Sequence, residues 1–449
     1  MRLTKLVCSL LVLFLFSGQS FSQYDDVYAK RRVELLKEID GGVIILSSYT
    51  SADRLNKDFY YLTGIDEPGA TLFIISEGNI NQILFNRNGN WSYADKSSKS
   101  EVYKSEEINR YLNRFISGQQ ELYVSFKNIG IVSELGRGLS GVESIKNIDP
   151  FIVRMRIYKD ETEIDILKKA CLITAQGLND TYKAIEPGLK EKDLKTFMEY
   201  GFERRESPGI SFLQAASGPN STNIHFGAGE RILENGDMIV FDVGAYWDKY
   251  TADISRSVPV SGKFNREQKE IYQLVLNAQK AAIEHMVPGQ KIMHVHKIAE
   301  DVLIDGLFKL GLVLDKSSEW QRKFFLVHGF NHFIGLDVHD VWYDYKYDEN
   351  TEYEPGMVMT MEPGLYFPAD KLDQGLGRLG RGVDEQEFKT FIEKIRPVYE
   401  KYANIGVRIE DDILVTKDWN LVLTSAVPKE IADIEKMMKE KSPHNNFNF

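Results

Sequence analysis

Asp242 restricts this chain more than any other residue. It sits near the end of Met238-Ile239-Val240-Phe241-Asp242-Val243-Gly244, a run apolar enough to read as a buried strand. A carboxylate buried there without a partner costs several kcal/mol, so the fold must bring a cation or a proton to that strand. Asp253 follows in Tyr250-Thr251-Ala252-Asp253-Ile254-Ser255-Arg256, far enough on for a hairpin to set the two acids side by side. Adjacent anions repel unless a proton or cation lies between them. Read alone, each Asp is a capping or turn residue.

Three further segments carry polar chemistry. His328-Gly329-Phe330-Asn331-His332-Phe333-Ile334-Gly335-Leu336-Asp337-Val338-His339-Asp340 holds three of the chain's eight histidines, and its glycines let backbone approach a ligand closely. Thr360-Met361-Glu362-Pro363-Gly364 brings an acid to a strand end and stops there at a Pro-Gly turn. Arg408-Ile409-Glu410 puts Arg and Glu on one face of a strand; alone it reads as a surface ion pair. Taken together, Asp242, Asp253, His332, Glu362 and Glu410 are four carboxylates and one imidazole that cannot share a cavity without cations. Two divalent ions balance the charge, and hard oxygen donors without thiolates favour manganese, with cobalt, zinc or iron as alternatives. Between two such ions a bridging hydroxide is the expected nucleophile.

Organisation along the chain is α/β. From Gly42 to about Ile152, short β-rich runs such as Val43–Leu46 and Thr71–Ile75 alternate with polar turns, and the aromatic Asp58–Gly64 segment reads as core. Asp160 with Glu163 predicts a capping box at the start of a long helix, its inner face marked by Ile164, Leu167, Cys171, Thr174, Leu178 and Ile185, and Pro187-Gly188 ends it. Helices are expected from Glu267 to Met286 and Met293 to Leu312. Strands are expected at Met238–Gly244, Phe324–Val327, Met357–Met361 and Val407–Val415. Short turns between them imply an antiparallel curved sheet with helices on its outer face.

The first 22 residues read as an export signal. Arg2 and Lys5 precede an apolar run, Leu6 to Phe16, and Ser20-Phe21-Ser22 supplies small residues for cleavage. That run is well short of the roughly twenty residues a spanning helix needs, and Cys8 lacks the small residues expected before a lipid-modified cysteine. Cleavage leaves Cys171 as the only cysteine, so the exported protein is held by its core and not by a disulfide. No later run is apolar enough to anchor it in a membrane. The formal charge of −11 makes nucleic acid an unsuitable partner. The expected division is signal 1–22, N-terminal domain 23–155, catalytic domain 156–441 and a polar tail 442–449, with a periplasmic or extracellular destination.

The order Asp, Asp, His, Glu, Glu on these motifs resembles the pita-bread metallopeptidases, and within them the Xaa-Pro aminopeptidases. Asp58–Gly64 with Glu67-Pro68 looks like the family's creatinase-like N-terminal domain. The resemblance implies a creatinase-like α/β domain followed by a pita-bread catalytic domain. It implies that Asp242, Asp253, His332, Glu362 and Glu410 hold the metals, with Asp253 and Glu410 bridging. His225 then looks like the substrate-side histidine, His339 like the residue steadying the reacting carbonyl oxygen, and His328 and Arg408 like partners of the ligands. The implied reaction is hydrolysis of the bond between an N-terminal residue and a following proline, with Glu362 shuttling the proton and a homo-oligomer as the expected assembly. A prolidase limited to Xaa-Pro dipeptides is the nearest alternative, and an inactive binding protein on the same fold another. Two features depart from the family pattern: Phe330-Asn331 between the histidines, and a longer stretch from Asp370 to Asn404 whose run Asp384 to Lys401 reads as an added helix, either a surface insertion or a lid.

Overall fold

The computed structural model describes residues 20–442, except 50–53, 77–80, 92–98, 117, 136–138, 140, 342–347 and 377–382. The first nineteen residues, which hold most of the expected signal, and residues 443–449 of the expected tail lie outside that set; Ser442 is buried. Among the described residues no helix is long and apolar enough to cross a membrane. The chain forms two compact units, residues 1–156 and 157–449.

The first unit runs α1 (Ser20–Lys37), β1 (Val43–Ser47), α2 (Lys57–Thr63), β2 (Thr71–Ile75), β3 (Asn81–Asn86), β4 (Lys99–Lys104), α3 (Ile108–Ile116), β5 (Glu121–Val124), α4 (Gly130–Leu135), β6 (Ser144–Asn147) and α5 (Asp149–Ile157). Its six strands form one mixed sheet in the order β4-β3-β2-β1-β5-β6. Alternation places Val43, Ile45, Phe73, Ile75, Ile83, Phe85, Leu122 and Val124 in one cluster with Phe115 and Ile116 of α3. The intervening Ile44, Leu46, Leu72 and Ile74 are also buried, so the sheet is covered on both faces. The aromatic segment is core, as its composition suggests. Asn56 caps α2 by accepting from the Asp58 and Phe59 amides, Gly64 closes it at φ 69°, and every residue from Asp58 to Thr63 is buried. The buried Asp58 carboxylate is met by Arg156 at 2.7 Å and Lys127 at 3.3 Å.

The second unit opens with α6 (Glu161–Tyr182) and α7 (Glu191–Glu203). The capping box forms: Glu163 N–H donates to Asp160 at 2.9 Å and Asp160 N–H to Glu163 at 3.1 Å. Leu167, Cys171, Thr174 and Leu178 face inward as expected. The helix stops at Tyr182, ahead of Ile185, because the next amides tighten onto carbonyls three residues back. Antiparallel strands follow. The long β8 (Met238–Trp247) lies between β7 (Ile210–Ser217) and β10 (Ile254–Pro259), with β9 (Tyr250–Thr251) returning along its end. After α8 (Arg266–Ile283), α9 (Ile292–Lys309) and α10 (Glu319–Phe325) come β11 (Val358–Met361), β12 (Gly364–Tyr366), α11 (Glu385–Tyr399), β13 (Gly406–Arg408), β14 (Asp411–Val415), β15 (Asn420–Val422) and α12 (Ile431–Met437). Strands β11-β14-β15 form one sheet and β12-β13 a hairpin. Helix α6 packs on β8 and β9, and α8 on β11, β12 and β13.

Two strand expectations fail. Phe324–Val327 is not a strand: Phe324 and Phe325 end α10, and their rings pack on Phe388 and Phe391 of α11 and on Phe367. A short apolar run cannot by itself tell a strand from a buried helix end. Val407–Val415 is two strands broken at Ile409-Glu410. There the Ile409 amide reaches Pro363 and the Glu410 amide reaches Ser255 on β10, as the chain leaves β12 and joins β11. Arg408 and Glu410 therefore do not share a strand face by simple alternation.

Candidate metal centre

One cavity of about 430 Å³ is lined by all nine residues singled out from sequence: His225, Asp242, Asp253, His328, His332, His339, Glu362, Arg408 and Glu410. The five candidate ligands arrive from different pieces of the second unit. Asp242 is on β8 opposite Ser255 of β10, and Asp253 lies just before β10. Glu362 sits in the turn between β11 and β12, and Glu410 at the break between β13 and β14. His332 is in the loop before β11, its amide tied to the Thr360 hydroxyl at 3.1 Å.

The tightest group among the described residues that could hold a metal ion is Asp253, His332 and Glu410, all buried, with one ligand atom of each within 4.8 Å of the others. His332 Nδ1 lies 3.0 Å from the Phe333 carbonyl oxygen, which can only accept, so the ring proton is on Nδ1. The bare Nε2 is then aimed at Asp253 Oδ2 (3.4 Å), Glu362 Oε1 (3.6 Å) and Glu410 Oε1 (3.8 Å). Asp253 Oδ1 and Glu410 Oε1 are buried without a hydrogen-bond partner. Burial first, then neighbouring carboxylates, push Asp253 and Glu410 well above the usual carboxylate range. Burial likewise raises Glu362 to about 8 and drives His332 down to about 3, which keeps its imidazole neutral. Protons can relieve such crowding, and these shifts record that. Divalent cations relieve it while leaving the oxygens charged, so the donor set fits a metal pair.

Asp242 and Glu362 line the cavity outside that tightest group. Arg408 is buried and donates to Asp242 through Nη2, to the Ser255 hydroxyl at 2.7 Å and to the Tyr366 hydroxyl at 3.0 Å. The exposed Arg408–Glu410 pair that a bare reading of the motif allows is thus replaced by a buried Arg408–Asp242 pair. His328 Nδ1 faces the Gly329 carbonyl at 2.6 Å and Nε2 the Tyr366 hydroxyl at 3.0 Å. With His328 lowered to about 4 by burial and then by Arg408, Tyr366 donates to Nε2 while accepting from Arg408. Gly364 makes this approach possible, because a Cβ there would lie 2.7 Å from the Tyr366 hydroxyl and 3.1 Å from His328 Nε2. His225 and His339 are exposed at the mouth, the His339 ring 4.4 Å from that of His332. The 340 end of this loop is pinned by a buried Lys159–Asp340 pair at 2.9 Å.

Sequence reading missed Ser255 and Tyr366. Ser255 stands two residues after Asp253, and period-two spacing flags it; no local spacing flags Tyr366, because the break at Glu362-Pro363 separates β12 from β11. Of the Phe330-Asn331 departure, Asn331 also lines the cavity and donates to the Tyr353 hydroxyl at 3.2 Å, while Phe330 is buried and stacks on His296.

Comparison with known proteins agrees with this architecture. Residues 165–417 match the model of metallopeptidase family M24, and residues 28–123 that of the aminopeptidase P N-terminal domain. The chain is 33% identical to an Xaa-Pro aminopeptidase of Haemophilus influenzae, covering 86% of this chain and 88% of that one. It is 30% identical to an Xaa-Pro aminopeptidase of Escherichia coli, covering 92% and 97%. A human Xaa-Pro dipeptidase is 32% identical over 65% of this chain and 62% of its own. Among solved structures, Pseudomonas aeruginosa aminopeptidase PepP superposes with a TM-score of 0.79 at 28% identity, covering 92% of this chain and 98% of that one. The low-pH form of E. coli aminopeptidase P gives 0.80 at 29%, with the same coverage.

Proposed function

Because the chain belongs to metallopeptidase family M24, with an aminopeptidase P N-terminal domain ahead of its pita-bread catalytic domain, we propose that it is an Xaa-Pro aminopeptidase. It removes the first residue of peptides that have proline second. The observation that carries the reading is the bare Nε2 of His332 turned toward three carboxylates. Asp242, Asp253, His332, Glu362 and Glu410 hold two divalent ions, Mn2+ first, with Co2+, Zn2+ or Fe2+ as substitutes. When bound, the ions supply an activated water and polarise the scissile carbonyl.

The protein's own groups do the rest. Arg408 holds the Asp242 carboxylate in place and, through Tyr366, fixes the His328 ring beside the cavity. His339 and His225 stand at the exposed mouth, where a peptide enters, and His339 steadies the reacting carbonyl oxygen. The Glu362 carboxylate, at the cavity wall between β11 and β12, is placed to pass a proton to the departing proline nitrogen. The two aminopeptidase relatives, matched over most of their length, favour this reading over a dipeptidase.

The test is a Mn2+-dependent assay on an Xaa-Pro tripeptide beside an Xaa-Pro dipeptide. Wild type should prefer the tripeptide, and Asp253→Ala should lose at least about a thousandfold in turnover. Preference for the dipeptide would move the assignment to prolidase, and near-normal turnover by the variant would remove the mechanism. The basic start and apolar run of residues 1–22 further support export with cleavage near Gln23. N-terminal sequencing of the cell-derived protein checks this, and an intact Met1 overturns it.

A further inference from the structure

Three acids stand in a row at 410–412, and they have three different surroundings. Glu410 faces the cavity. Asp411 is compensated by cations, with Arg256 and Lys429 each at 2.6 Å and further donors in Thr424 and Gln279. Asp412 is fully buried and has no such cation. Its Oδ2 accepts from the Asp253 backbone N–H at 3.0 Å and the Cys171 thiol at 3.3 Å, and its Oδ1 has no hydrogen-bond partner. A carboxylate kept in apolar surroundings on an amide and a thiol alone is a costly arrangement, so what it holds is informative.

What it holds is the main chain of Asp253. That residue precedes β10 and makes no ladder bond there, and the Asp412 contact fixes its amide. Cys171 acts from the other side: it comes from α6, packs with Ala170 against Ala252, the residue before Asp253, and saturates the same carboxylate oxygen. Asp412 is itself held by β14, where it pairs with Thr360, whose hydroxyl receives the His332 amide. One buried side chain thus ties the backbone of one candidate ligand to the strand that sets another.

We infer that Asp412, braced by Cys171, is a positioning residue for the metal pair: it sets the direction in which Asp253 presents its carboxylate, and so sets the affinity of the site for divalent cations. Residues in this relation to a metal commonly change affinity about 10- to 100-fold when removed.

The inference rests on the two-metal reading, and the experiment separates them. Metal-stripped full-length protein is titrated with Mn2+ by calorimetry, and the apo forms are compared by thermal unfolding. Asp412→Ala should weaken Mn2+ binding by about 10- to 100-fold. Asp412→Asn, whose amide oxygen can still accept from Asp253, should return to within about fivefold of wild type, the worth of one ordinary hydrogen bond. Cys171→Ala should show a smaller loss than Asp412→Ala, recovered by Cys171→Ser, which keeps a donor. A folded Asp412→Ala that binds Mn2+ like wild type overturns the brace, as does Asp412→Asn binding as weakly as Asp412→Ala. If Asp412→Ala does not fold, the cysteine pair decides: wild-type Mn2+ affinity in Cys171→Ala overturns the inference, and a loss recovered by serine supports it. Wild type taking up no Mn2+ would remove the two-metal reading itself.

Discussion

Tyr366 shows how much one hydroxyl can organise. It receives a hydrogen bond from the buried Arg408 and gives one to His328, so it joins the charge that pairs with Asp242 to a ring at the cavity wall. Tyr366→Phe keeps the ring volume and deletes both bonds. Hydrogen bonds to charged groups are worth about 1.5–3 kcal/mol, so kcat/KM on an Xaa-Pro tripeptide should fall about 10- to 100-fold, with Mn2+ affinity near wild type. Unchanged kcat/KM would take Tyr366 out of the catalytic network. Tyr366 was harder to read from sequence than the acids around it. Asp242 and Asp253 announce themselves because a charge inside an apolar strand has few explanations. A tyrosine in such a strand has many, and only the hairpin register of Gly364 opposite Arg408 brings it to the guanidinium. Asp412 was hidden for the same reason: its partners are 159 and 241 residues away.

At the scale of elements, the stretch from Asp370 to Asn404 contains the expected helix, α11 (Glu385–Tyr399). Asp384 caps α11 by accepting from the Glu387 amide, and Phe388, Phe391, Ile392, Ile395 and Tyr399 are buried. Phe391 meets Trp320 at 4.9 Å and Phe324 at 5.7 Å between ring centroids. The Tyr399 hydroxyl donates to Pro368, and that of Tyr402 to Glu270. No residue of α11 lines the cavity. The helix is legible because its cap and apolar spacing are local; its partner face on α10 is not, because a short apolar run such as Phe324–Val327 fits a strand equally well. Phe391→Ala should cost about 3–5 kcal/mol of stability, seen as a lowered Tm. Below the transition, kcat and KM should stay within about threefold of wild type, because the change removes packing and no transition-state contact. A large rise in KM at full folding would instead mark α11 as a lid.

For the whole molecule, each unit holds a buried charge arrangement that responds to a different perturbation, and this makes the two separable by experiment. In the first unit, burial alone would raise the Asp58 pKa, but Arg156 and then Lys127 outweigh it and hold the carboxyl below its usual value. A carboxylate with a depressed folded pKa stabilises the fold above its ordinary value of about 4, and that contribution is lost as pH falls through the depressed value. Asp58→Asn should therefore destabilise this unit at neutral pH by about 3–5 kcal/mol, because it removes the negative charge from a buried ion pair, and the gap to wild type should close in acid. The metal centre of the second unit has the opposite arrangement. Its Asp253, Glu362 and Glu410 are raised by burial and by one another, so the bare site opposes folding most when these groups must ionise, and a bound cation removes that penalty. Mn2+ at 100 times its Kd should add about 2.7 kcal/mol per site to the unit that binds it. Calorimetric unfolding of wild type and Asp58→Asn, each with and without Mn2+, should show the substitution moving one transition and the ion moving the other. If Mn2+ shifts the Asp58-sensitive transition as far as the other, the two units unfold as one.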